Sequence, residues 1–170
     1  MNIVCAPAKQ DFQGIADVYN KSHERFLNIY SEEEQKVFAR TETKTSIEEM
    51  SERRDMLCVK NDAGMVIGYA AFRLKNEQTV WLSALYVLPD CERRGVGKVL
   101  LCGVERWAKE KGAKVVVLET HRNADLAINF YTKNGYELIN DKAKLKVYPF
   151  DRALEKDPVA GRPFLGKILQ

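Results

Sequence analysis

Leu82–Trp107 reads LSALYVLPDCERRGVGKVLLCGVERW, and three kinds of local structure meet in it. Val80, Trp81, Leu85, Tyr86, Val87 and Leu88 are apolar or aromatic β-formers and predict a buried strand. Pro89-Asp90 ends it, because proline donates no ladder hydrogen bond and biases the chain toward a turn. Arg93-Arg94-Gly95-Val96-Gly97-Lys98 follows as a basic, glycine-containing loop. Leu100, Leu101, Val104, Trp107 and Ala108 then recur at helical spacing. A strand, a basic glycine turn and a helix start together suit an anion. The first N–H groups of a helix lack internal partners, and the helix dipole adds positive potential there. Glycines let the backbone approach a pyrophosphate closely.

The spacing excludes two common phosphate loops. A Walker A loop would need glycine at Glu92 and Ser or Thr at Val99. A Rossmann fingerprint would need glycine at Leu100. Taken alone, the pattern is also met at helix starts that bind nothing. With Val87-Leu88-Pro89 before it, however, Glu92-Arg93-Arg94-Gly95-Val96-Gly97 resembles the acyl-CoA pyrophosphate loop of the GNAT superfamily, Q/R-x-x-G-x-G/A. It departs at the first position, where Glu92 replaces Gln or Arg.

A second block agrees. Ala127-Ile128-Asn129-Phe130-Tyr131-Thr132-Lys133-Asn134-Gly135-Tyr136 resembles the second GNAT signature, A-I-x-F-Y-x-K-x-G-Y/F. Between the blocks lies Lys114–Thr120, KVVVLET, apolar at nearly every position and therefore expected as a strand buried on both faces. A buried strand, a helix and a second buried strand are most easily parallel.

The remaining chain fits one domain over residues 1–170, large enough for a single core. Hydrophobic residues make up 45% and charged residues 30%, a globular composition with a net charge of only +3. That charge does not argue for nucleic acid. Cys5, Cys58, Cys91 and Cys102 are dispersed, suggesting neither a metal site nor a disulfide framework, and a reducing, cytoplasmic setting is expected. No run approaches a membrane span and no secretory leader is visible.

In order, residues 2–6 predict a strand, and Asp11 is expected to cap a helix whose face carries Phe12, Ile15, Val18, Tyr19, Ser22 and Phe26. His23 beside that face is expected to be structural. Residues 31–54 predict one or two exposed helices, with Ser31/Glu34 and Ser46/Glu49 as capping boxes. Asp55–Lys60 and Met65–Leu74 predict a hairpin across Asn61–Gly64, with Gly68 marking a bulge. A strand over Thr79–Leu88 follows, and a helix over residues 97–110 stops at Lys111-Gly112. A helix within His121–Tyr136 stops at Asn134-Gly135. Residues 136–148 alternate around an Asn140-Asp141 turn. The tail, residues 151–170, is expected to wrap the surface, with Phe164–Leu169 returning as a strand suited to pairing across a homodimer.

The resemblance implies a mixed α/β fold: a mostly antiparallel sheet of six to seven strands, a splayed parallel fourth and fifth strand pair, and about four helices. It implies acetyl-CoA as co-substrate, with no metal. Leu85, Tyr86 and Val87 would pair with the pantetheine, and Arg93, Arg94, Gly95, Val96, Gly97 and Lys98 would hold the pyrophosphate. Tyr131 would act as general acid. A thiol near pKa about 8.5 and a phenol near about 10 are close enough for that transfer. Asn123 either contacts cofactor or caps the following helix. Glu119, in an otherwise apolar run that favours proton uptake, is either the general base or a carboxylate paired with Arg122 or a lysine. His121 and Tyr86 are weaker candidates. A backbone N–H of the fourth strand, at Val87, would hold the oxyanion. Phe26, Tyr30 and Phe38 would border the acceptor.

The implied activity is acetyl transfer to a primary amine of a small molecule, polyamine or peptide, without nucleic acid or membrane as partner. The glutamates around residues 32–34 and 48–52 hint at a cationic acceptor. A CoA-binding module without activity would keep the Gly95–Gly97 loop yet tolerate Tyr131→Phe. A nucleic-acid binder would rest on Arg93-Arg94 alone.

Overall fold

The computed structural model describes residues 3–139 and 163–170, apart from the side chains of Ile3, Val37 and Phe38. Seven strands form one mostly antiparallel sheet: β1 (Ile3–Cys5), β2 (Asp55–Lys60), β3 (Val66–Asn76), β4 (Thr79–Val87), β5 (Val115–Glu119), β6 (Glu137–Ile139) and β7 (Phe164–Ile168). Their order is β1-β2-β3-β4-β5-β7-β6. The helices are α1 (Phe12–His23), α2 (Glu32–Phe38), α3 (Lys44–Ser51), α4 (Val96–Glu110) and α5 (Asp125–Lys133), so the helical region over residues 31–54 resolves into two. The expected parallel pair is present: β4 and β5 run from Thr79↔Val115 to Leu82↔Leu118. That register stops there, whereas β4 itself continues to Val87.

The chain divides into two compact units, one from Met1–Ala71 and Ala84–Val104, the other from Phe72–Ser83 and Glu105–Gln170. In the first, the periodic face of α1 packs on α3, and Phe12, Ile15, Val18 and Tyr19 join Ile47, Met56 and Tyr69 in the core. Each such large side chain contributes roughly 1.5–3 kcal/mol by leaving water. Gly68 lies where an added Cβ would stand 2.9 Å from Val96 and 3.2 Å from Leu100. The close seat of α4 on β3 thus accounts for a glycine at this position.

Asp11 does not cap α1 through its side chain, contrary to the sequence reading. Its Oδ2 accepts the Ala8 N–H at 2.8 Å and its Oδ1 pairs with Lys60 Nζ at 2.7 Å. A buried carboxylate gains more from a cation on β2 than from a neutral amide. Ser31 and Glu34 form the expected capping box of α2. Ser46 is not a cap. Thr43, with extended φ and ψ, caps α3, and Ser46 Oγ reaches back to the Thr43 N–H at 2.8 Å.

In the second unit, Val115, Val116, Val117 and Leu118 are buried along the whole of β5 except its end. Val115 and Val117 share a cluster with Ile139, Phe164 and Trp81. The returning strand ends at Ile168, and β7 is paired on both sides within this chain, with β5 and with β6. A largely buried ion pair, Lys167 Nζ to Glu105 Oε2 at 2.9 Å, joins β7 to the last turns of α4. The Asn140-Asp141 turn and the wrapping tail before Pro163 lie outside the described residues.

Candidate active site

In the first unit, β4 runs into a single 3-10 turn at Pro89–Cys91 and then into the loop that opens α4. Two loop residues are left-handed: Gly95 with φ 84° and, unusually for a residue with a side chain, Arg93 with φ 56°. Non-glycine residues take up this region at a cost, and turns with successive amides directed inward make anion-binding concavities. Arg93, Arg94 and Lys98 are exposed, Gly97 is half-buried, and Val96 is buried as an anchor for the helix start. Backbone and charge both favour a polyphosphate here. Glu92 is engaged: its Oε2 pairs with Arg25 Nη1 at 2.9 Å. The one acidic residue of the loop is thereby offset by a cation from just beyond α1.

Leu85, Tyr86 and Val87 are half-buried rather than fully buried, and Leu88 lies beyond the strand. The Val87 carbonyl accepts the Ser22 hydroxyl at 2.8 Å, which fixes the end of β4 to α1. The Tyr86 ring lies 5.1 Å from Tyr19, 5.8 Å from Tyr69 and 6.2 Å from Phe26. Tyr19 stacks on His23 at 4.9 Å, and His23 lies 6.0 Å from Tyr30. Phe26 and Tyr30 are therefore part of an aromatic wall, and His23 is a buried member of it. The Phe38 side chain lies outside the described residues.

Three members of this cluster escape sequence reading. Arg40 carries its guanidinium 5.8 Å from the Tyr19 ring centre, Glu42 is a buried carboxylate pairing with Arg40, and Tyr69 is fully buried.

In the second unit, Tyr131 is buried on α5, and its neighbours on that face, Ala127, Phe130 and Asn134, are half-buried. Burial pushes its phenol well above the ordinary value, so the hydroxyl is a neutral donor throughout the physiological range. Its ring meets Phe130 at 5.1 Å and Tyr136 at 5.6 Å. Glu119 ends β5, half-buried, where its strand pairs with Phe164. Asn123 is exposed and does not cap α5, because Ala124 occupies the cap position with no side-chain bond. The Asn123 N–H donates to buried His121 Nδ1 at 3.1 Å, so that imidazole nitrogen is an acceptor. Among the described residues no group of three or more His, Cys, Asp or Glu is placed to hold a metal.

The Acetyltransferase (GNAT) family profile matches residues 16–136, well over half of the chain and inclusive of both signature blocks. The chain belongs to the GNAT acetyltransferase family. Its GNAT relatives include an aminoglycoside N(6')-acetyltransferase type 1 of Salmonella typhimurium, 27% identical over 82 residues, which are 44% of this chain and 57% of that protein. The spermidine N(1)-acetyltransferase of Thermoplasma acidophilum is 35% identical over 57 residues, 34% of this chain and 35% of that one. The chain thus spans 57% of the length of the aminoglycoside acetyltransferase it matches. The crystal structure of PaiA N-acetyltransferase from Thermoplasma acidophilum, in complex with coenzyme A, has the same GNAT fold. Its TM-score is 0.76 at 21% identity, with 99% of each chain covered.

Proposed function

We propose that this GNAT protein transfers an acetyl group from acetyl-CoA to a primary amine of a small molecule or peptide, in the reducing cytoplasm. The observation that carries the reading is the left-handed Arg93–Gly95 turn opening α4, an anion seat of the shape and charge that a CoA pyrophosphate requires. The printed activities of the aminoglycoside and spermidine relatives, both amine acetylations, support it.

On this reading the side chains of Arg93, Arg94 and Lys98 and the amides of Gly95, Val96 and Gly97 bind the pyrophosphate, and the backbone of Leu85–Val87 aligns the pantetheine. An alkyl amine is mostly protonated near neutral pH and must lose a proton before it attacks the thioester carbonyl. Glu119 takes that proton directly or through water. The attack gives a tetrahedral oxyanion, stabilised by the Val87 N–H. Collapse breaks the C–S bond and releases the thiolate of CoA, to which the Tyr131 hydroxyl donates. A phenol raised by burial is a weaker acid than a thiol. Tyr131 accordingly acts through a strong hydrogen bond to the departing thiolate, and the second proton on the attacking nitrogen leaves to water or to the thiolate as the amide forms. On this reading Asn123, exposed just before α5, adds a polar contact to the cofactor.

The test is thiol release from acetyl-CoA with a panel of primary amines, by the wild type and by Tyr131→Phe. Turnover that falls in the variant while acetyl-CoA affinity holds supports the reading. Saturable acetyl-CoA binding with no turnover on any amine, unchanged by Tyr131→Phe, points instead to a CoA-binding module.

A further inference from the structure

Glu42 is an unusual residue for a helix-rich, exposed segment: its side chain is only 6% exposed. It is also fully occupied. Its Oε1 pairs with Arg40 Nε at 3.0 Å and its Oε2 accepts the Ser46 hydroxyl at 2.5 Å. The side-chain amide of Asn20 clamps its backbone from both sides, donating to the carbonyl and accepting the N–H, each at 2.9 Å. Arg40 is the opposite case. Its side chain is 62% exposed, yet it is held at Nε by Glu42, and its guanidinium carbon lies 5.8 Å from the Tyr19 ring centre. A guanidinium gripped through Nε leaves its two terminal amino groups as a fork. With most of the side chain exposed, that fork is open to a ligand.

The surroundings offer donors. Burial holds the Tyr69 and Tyr19 phenols above their ordinary value, so both remain O–H groups. The Tyr69 hydroxyl is buried with no hydrogen-bond partner among the described residues, and Arg40, Glu42, Tyr19 and Tyr86 all act on it electrostatically. A buried hydroxyl left without a partner is costly and calls for a water or a ligand to complete it. The only carboxylate in the cluster already has its partners. Donors therefore outnumber free acceptors, and the group they fit is an oxyanion.

We propose that Arg40, set by Glu42 and Tyr19 and backed by the Tyr69 hydroxyl, is the residue that recognises the acceptor, and that the acceptor is an amine bearing a carboxylate. This rests on the transferase reading for what becomes of the amine, but not for its binding. The guanidinium fork takes the two carboxylate oxygens, while the aromatic wall of Tyr19, Tyr86 and Phe26 covers the carbon skeleton. Two of the glutamates that suggested a cationic acceptor are engaged locally: Glu34 caps α2 and Glu48 pairs with Lys9 at 2.9 Å.

The test presents the common L-amino acids to the protein, each beside its own carboxamide, and reads thermal stabilisation without acetyl-CoA and thiol release with it. For at least one pair, the acid binds and turns over about tenfold or more better than the amide, the loss expected for a charge-assisted hydrogen bond. Arg40→Gln abolishes that preference and Arg40→Lys keeps part of it, with acetyl-CoA affinity unchanged in both. Tyr69→Phe gives a second readout. It raises Tm slightly, because an unpartnered hydroxyl is removed, yet lowers kcat/KM for the acid more than for the amide. A structural role alone would not split the two substrates. Acids that stabilise the wild type but are never acetylated would leave this site standing and remove the transferase reading. Amides that bind as well as every acid, or an Arg40→Gln variant that keeps the preference, would overturn the proposal.

Discussion

The Tyr131 carbonyl accepts the Tyr136 N–H at 3.1 Å while the two rings meet edge to face at 5.6 Å. Between them Gly135 is left-handed at φ 85°, and its N–H bonds the Thr132 carbonyl at 3.0 Å. This is a Schellman stop with its apolar contact, and it explains the order Tyr-x-x-x-Gly-Tyr in physical terms. The turn that ends α5 also fixes the ring of Tyr131. Gly135→Ala is expected to cost about 1–2 kcal/mol, because a Cβ opposes the left-handed conformation. For a chain of this length that lowers Tm by about 2–8 °C in a thermal melt. Turnover falls further than stability requires, since the Tyr131 hydroxyl is displaced.

Tyr131→Phe is expected to lower kcat by about 10²–10⁴-fold with acetyl-CoA affinity unchanged. Its effect on stability depends on pH. The folded phenol lies above its unfolded value, so its contribution is whole below pH about 10 and is lost as pH rises toward the folded value. Denaturant midpoints measured into the alkaline range should therefore decline less steeply in the variant than in the wild type.

Much of this was legible in sequence because local rules decided it. Gly95, Gly135 and Pro89 stand where the backbone must turn, and VVVLE could only be an interior strand. Other features depend on distant partners. Asp11 looked like a helix cap, but Lys60, far along the chain on β2, claims its carboxylate. Ser46 looked like a cap because Glu49 follows at the right spacing, and Thr43 took the position through its extended backbone. Arg40, Glu42 and Tyr69 come together only once Asn20 of α1 clamps the segment before α3. No periodicity announces such a cluster.

The Asp11–Lys60 pair predicts a pH window for stability. Burial opposes the Asp11 charge, but hydrogen bonds from Lys60 and the Ala8 N–H outweigh it and hold the carboxyl below its ordinary range. Its contribution is present above the unfolded value, about 3.9, and is lost as pH falls through the lower folded value. Lys60, raised chiefly by its bond to Asp11, loses its part only as pH rises through its folded value, above about 10.4. Asp11→Asn should lower Tm by several degrees near neutrality. The gap to wild type should close below about pH 4 in melts across an acid series.

Glu92 opens the loop proposed to hold the pyrophosphate, and it pairs with Arg25. Glu92→Gln is expected to tighten acetyl-CoA binding by about two- to fivefold, and Arg25→Ala to weaken it by a similar factor, as exposed pairs of this kind allow. Raising salt should shrink both effects, because charges at the surface are screened. Dissociation constants at low and high ionic strength check this.

The most direct measurement of the central claim is calorimetric titration of the folded protein with acetyl-CoA, beside desulfo-CoA and ATP. The account predicts saturable binding of acetyl-CoA and desulfo-CoA, weakened when Gly95 is replaced by alanine, and none of ATP at the same concentration. Folded protein that takes up no acetyl-CoA, or that binds ATP equally well, would contradict it.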